Sequence, residues 1–134
     1  PNMQLNDGRV VTNLIVQALN DEDLTIYGDG SQTRSFSYVS DTVAGIIAMM
    51  ESKHYEVFNI GNPYEMTVKE LAETILKLTN SKSEIVYKPL PNDDPQQRRP
   101  DISKAKDKLD WEPKVGLETG LNTTIEWIKK ELSK

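Results

Sequence analysis

The residues best suited to chemistry in this chain are its four arginines, Arg9, Arg34, Arg98 and Arg99. All four fall at the edges of expected elements or in loops, and three lie within strings of polar residues. A guanidinium is planar, keeps its charge and donates two parallel hydrogen bonds, so it matches phosphate oxygens better than any other side chain. Each one alone reads as a solvated charge, and spacing does not show that they converge. Arg34 closes the stretch "GDGSQTR", in which Gly28 and Gly30 follow an apolar run. Glycine turns ahead of helices cradle phosphates. This one lacks the third glycine of a dinucleotide fingerprint and does not open a helix directly, so the motif is weak on its own.

Other candidates carry less. His54 is the single histidine, in the polar stretch "ESKHYE", and no cysteine or second histidine stands ready to share a metal. It reads as a solvated loop residue, and no metal site is expected. Asp93 and Asp94 are adjacent in a loop, where side chains need not converge, so they read as a polar turn. No G-x-S-x-G elbow or Walker loop is present. The absence of cysteine removes disulfide and thiolate chemistry and fits a cytoplasmic location. A net charge of −5 argues against a nucleic-acid surface. No apolar run approaches the ~20 residues that cross a bilayer, so no membrane segment is expected.

The elements that must hold these residues follow from periodicity. "RVVTNLIVQALN" (Arg9–Asn20) has one apolar helical face, and "LTIYG" (Leu24–Gly28) reads as a short strand. "SFSYVS" looks extended, and Ser40 or Asp41 can cap a helix over "DTVAGIIAMMES" whose apolar surface should be largely buried. "VFNIG" (Val57–Gly61) reads as a second strand ended by turn chemistry. Thr67 and Glu70 spell a capping box for a helix reaching about Asn80. "SEIVYKPL" is a third strand, and "PNDDPQQRRPD" a polar, proline-punctuated loop. A short helix starts at Asp101 or Ser103, and a last one from about Leu117 aligns Leu121, Ile125, Ile128 and Leu132. At 134 residues the chain is one domain. Three short strands make a poor independent sheet, so they are expected to join something larger. The opening "PNMQLNDGRVV" reads as the middle of a loop, which suggests the C-terminal piece of a longer protein.

Four stretches, "NDGRVVTNLIVQAL", "LTIYGDGSQTRSFSYVSD", "FNIGNPYEMTVKELA" and "DDPQQRRPDISKAKDKLDWEP", resemble in order and spacing the C-terminal part of UDP-glucuronate decarboxylases. These are NAD-dependent extended short-chain dehydrogenase/reductases acting on nucleotide sugars, and the resemblance covers essentially the whole chain. It implies an α/β fold of mostly helices with short strands, residues 1–134 being a substrate-binding portion without the NAD-binding Rossmann core. In that family the sugar is oxidised at C4, the 4-keto acid loses carbon dioxide, and reduction gives UDP-xylose. The resemblance places Thr25 and Tyr27 around the pyrimidine, Arg34 and Asn59 at the ribose-phosphate portion, and Arg98 at the diphosphate with a positioning or catalytic role. It places Gln4 and Arg9 beside NAD. One departure is Asp110, where related sequences carry the glycine of "LGW".

The family's Tyr-x-x-x-Lys pair, a proton-abstracting tyrosine with its lysine, occurs nowhere in the chain. The isolated residues are therefore expected to lack decarboxylase activity. A dTDP-glucose 4,6-dehydratase or UDP-glucose 4-epimerase parent would share the nucleotide motifs, and an autonomous binding or interaction domain is a reading of a different class. Part of the Arg9–Asn20 helix and two short strands are expected to present apolar surface that normally packs on the missing core. Such surface favours association, so a homodimer is possible.

Overall fold

A computed structural model describes residues 1–134 as nine elements: α1 (Val10–Leu19), β1 (Leu24–Tyr27), β2 (Thr33–Ser35), α2 (Val39–Glu51), β3 (Glu65–Thr67), α3 (Val68–Thr79), β4 (Ile85–Lys88), α4 (Ser103–Leu109) and α5 (Leu117–Leu132). The helices α1, α3 and α5 pack on one another, with β1 against α1 and α3. Their apolar stripes meet in a core that includes Leu14, Ile15, Ala18, Leu71, Ile75, Ile125 and Ile128, closed by Leu24 and Ile26 of β1. β1 pairs in parallel with β4, Leu24 opposite Ile85 and Tyr27 opposite Lys88. β2 pairs antiparallel with β3, Arg34 opposite Met66. The expected α/β class, mostly helix with short strands, is what forms.

Local chemistry explains the ends of these elements. The Thr67 hydroxyl accepts from the Glu70 N–H at 3.0 Å and the Glu70 carboxylate accepts from the Thr67 N–H at 2.8 Å, completing the capping box. Asn80 ends α3 in the left-handed region, φ 53°. Asp110 ends α4 in the same region, φ 50°, a conformation that suits glycine because a Cβ is disfavoured at positive φ. Asp110→Gly should raise the stability of the chain by about 0.5 kcal/mol, since relief of the left-handed strain exceeds the added entropy of the unfolded chain. An unchanged or lower urea midpoint would contradict this.

Several expectations are corrected. First, "VFNIG" forms no strand. Residues 57–61 have no ladder partner, and Val57 is 85% exposed. Composition favoured a strand there, but a strand needs a neighbour whose N–H and C=O groups are free. The strand that does form nearby, β3, is three residues abutting a helix cap, too short to show alternation. Second, α2 is not largely buried. Only Asp41 and Gly45 are inside, while Val39, Val43, Ile46, Ile47 and Met50 form an exposed stripe at helical spacing. Third, this stripe lies on α2 and not on α1, whose Leu14, Ile15 and Ala18 are the centre of the core. Helix α2 also starts earlier than expected. Tyr38 is its N-cap, and Asp41 turns its carboxylate away from the helix end to accept from the N–H groups of Lys114 and Val115 at 3.0 and 2.9 Å.

Candidate functional site

The arginine-bearing surface is built on β2. Gly28 and Gly30 have φ of +81° and +80°, a region open to glycine. They turn the chain back after β1, and a Cβ on Gly30 would stand 3.1 Å from that of Lys69. The turn is locked by the buried Gln32, whose Nε2 donates to Tyr27 O at 2.6 Å and whose carbonyl accepts from the Val68 N–H at 3.0 Å. The glycines thus serve to aim β2 rather than to cradle a phosphate. Asp29 steadies the same turn, accepting from the Ser31 hydroxyl and N–H, and these bonds hold its carboxyl below the usual carboxylate range.

One edge of β2 pairs with β3, and the loop 94–101 runs along the other. The Thr33 N–H donates to Gln96 O at 2.9 Å, and the Ser35 hydroxyl donates to Arg98 O at 3.2 Å. Arg34 reaches the same loop: its Nη2 lies 2.7 Å from Asp94 Oδ1, and its Nη1 donates to Thr33 O at 2.7 Å. Glu65 of β3 spans the strands, accepting from Gln97 Nε2 at 2.7 Å. At its far end the loop meets the 59–61 segment. Asn59 Nδ2 donates to Asp101 O at 3.3 Å, and Gly61 lets Pro100 approach so closely that a Cβ would be 3.0 Å away. The hydroxyl and N–H of Ser103, with the Arg99 charge nearby, hold the Asp101 carboxyl below its ordinary value.

Of the residues singled out from the sequence, the structure gathers Arg34, Asn59 and Arg98 around this loop. The Arg98 and Arg99 side chains are exposed and enter no ion pair. Tyr27 is half exposed on the strand that leads into the glycine turn. Thr25 is engaged within the fold: Gln17 donates to its hydroxyl at 3.2 Å and accepts from its N–H at 3.0 Å. Gln4 is exposed and Arg9 pairs only with Asp7, Nε to Oδ2 3.2 Å. No hydrogen bond or ion pair joins either to the β2 loop. Sequence reasoning missed Asp94, Glu65 and Gln97, which set the loop and Arg34. Their partners lie 32 to 60 residues away in the chain, so no local pattern marked them.

Depressions of about 610 and 590 Å³ lie nearby, the first lined by Phe36, Tyr64, Met66 and Leu117, the second by Arg99, Lys106 and Glu112. Neither is lined by Arg34 or Arg98. The residues present also do not form a dinucleotide site. The one parallel pair, β1 and β4, has two strands, and the glycine turn after β1 leads into β2, not into a helix.

Comparison with known proteins is consistent with this geometry. The GDP-mannose 4,6 dehydratase family profile matches residues 3–124. A UDP-glucuronic acid decarboxylase 1 from Danio rerio is 55% identical over 130 residues, 97% of this chain and 31% of that protein. One from Arabidopsis thaliana is 52% identical over 121 residues, 90% of this chain and 28% of that protein. The chain thus spans about a third of the length of these relatives. A UDP-glucose 4-epimerase from Thermotoga maritima, solved with UDP-glucose, superposes with a TM-score of 0.94 at 38% identity, covering 98% of this chain and 43% of that one. A UDP-glucuronic acid 4-epimerase from Bacillus cereus, solved with UDP-glucuronic acid and NAD, gives 0.87 at 33% identity, covering 92% and 40%. The chain belongs to the GDP-mannose 4,6 dehydratase family, and its fold is that of the C-terminal part of extended short-chain epimerases and dehydratases.

Proposed function

We propose that this chain is the nucleotide-sugar-binding part of an NAD-dependent UDP-glucuronate decarboxylase, which converts UDP-glucuronate to UDP-xylose through a 4-keto intermediate. The observation that carries the reading is the gathering of Arg34, Asn59 and Arg98 around one loop, in a chain 55% identical to such a decarboxylase. In this reading Arg34 and Asn59 hold the ribose-phosphate portion, Arg98 orients the diphosphate, and Tyr27 packs on the pyrimidine beside Thr25. Thr25 is held in place by Gln17, which donates to its hydroxyl and accepts from its N–H. Gln4 and Arg9 flank the cofactor.

Residues 1–134 act as one domain whose exposed α2 stripe packs on the remainder of the longer enzyme. That remainder supplies the NAD site and the proton-transfer residues absent here. When bound, NAD supplies the oxidation at C4, and a carbonyl β to the carboxylate then accepts the electron pair released with carbon dioxide. No helix is long and apolar enough to cross a membrane. We place the enzyme in the cytoplasm as a homodimer.

A 4-epimerase is the second reading, favoured by the superposition on the UDP-glucose 4-epimerase. Assay of the full-length enzyme with UDP-glucuronate, UDP-glucose and dTDP-glucose separates the two. The decarboxylase releases carbon dioxide and a UDP-pentose from UDP-glucuronate. Epimerised UDP-glucose with no gas release would overturn the proposal. The 134 residues alone should give no turnover.

A further inference from the structure

We propose that Asp94 is an internal competitor for the anionic ligand of Arg34, its carboxylate holding the guanidinium where a nucleotide diphosphate would place a phosphate oxygen. The inference rests on the reading of Arg34 as the nucleotide arginine. The two side chains are 16% and 30% exposed and meet at 2.7 Å, the length that a charge-assisted bond to phosphate also takes. Both terminal nitrogens of Arg34 are engaged, Nη1 by Thr33 O and Nη2 by Asp94. The pair is neutral as a unit, so Arg34 exerts little pull on an approaching anion while Asp94 is in place. A phosphate at Nη2 would meet the carboxylate at close range, and the two negative groups repel.

Displacement of Asp94 acts beyond one bond. The loop is tied to β2 at Asp94, Gln96 and Arg98 in succession. Release of the first tie frees the loop's leading end and leaves Arg98 anchored through its own carbonyl. Ligand entry at Arg34 is thereby linked to the freedom of the loop's leading end, ahead of the ties at Gln96 and Arg98.

The test is calorimetric titration of the full-length protein with UDP and with uridine. Asp94→Asn keeps the side chain's shape and an acceptor for Arg34 while removing the charge, and Asp94→Ser repeats the test with a smaller group. Both should bind UDP about tenfold more tightly than wild type, with uridine unchanged and the gain shrinking as salt is raised. UDP affinity that is unchanged or weaker overturns the proposal, as does equal tightening of uridine, which would report only a looser loop. Arg34→Ala separates the two layers. If it leaves UDP affinity intact, the reading of Arg34 fails. If it weakens UDP while Asp94→Asn does not tighten it, the competitor role alone fails.

Discussion

Asp41→Ala should destabilise the chain by about 3 kcal/mol, a large share of the 5–15 kcal/mol that holds a domain together. Asp41 is 6% exposed, and its carboxylate takes the N–H groups of Lys114 and Val115 on its two oxygens. Alanine leaves both donors without a partner, and each lost bond to a charged group costs about 1.5–3 kcal/mol. Asp41→Asn should recover less than half, because its amide offers one accepting oxygen and turns an N–H toward the other donor. The effect spreads by a definite route. The Trp111 indole donates to Asp41 O at 3.1 Å, and Trp111 packs with Ile102, Ala105, Phe58 and Ile60. Those residues back the 59–61 segment and the end of the arginine loop. Urea unfolding reads the loss, and an Asp41→Ala midpoint equal to wild type would show that the carboxylate contributes nothing.

The second large effect is at Gly45, where two contributions oppose each other. Alanine in a helix interior is favoured over glycine by about 1 kcal/mol. A Cβ here would stand 2.6 Å from Ile60 Cγ2, 3.1 Å from its Cδ1 and 3.2 Å from Trp111 Cε2. Cγ2 is a branch on Ile60's own Cβ, so it yields only if backbone or rotamer moves, and overpacking of this kind costs about 1–3 kcal/mol. The clash should win, giving a net loss of about 1–2 kcal/mol. The shift falls on the residue next to Asn59, so the Asn59–Asp101 bond should loosen with it. A higher melting temperature for Gly45→Ala would reverse the argument.

Much of the fold could be read from sequence because much of it is local. The stripes of α1, α3 and α5 and the Thr67–Glu70 capping box are complete within single segments, and each forms where the periodicity places it. What could not be read depends on partners far along the chain. The runs of β1 and β4 were visible, but nothing local says that Leu24 sits opposite Ile85. "VFNIG" has the composition of a strand and lacks only a neighbour. The same holds for chemistry. Arg34 stood out by residue type and motif, while Asp94 looked like a turn residue until the fold set it 2.7 Å away. Thr25 drew attention by motif, and Gln17 turns out to occupy its hydroxyl.

The packing of α1 against α5 has a consequence in time. Leu14 and Ile15 are covered in part by Ile125 and Ile128, which lie near the other end of the chain. A ribosome needs on the order of ten seconds to make the residues between them. Until Ile128 has left the exit tunnel, α1 has only α3 and β1 to pack on, and the face that α5 covers stays open.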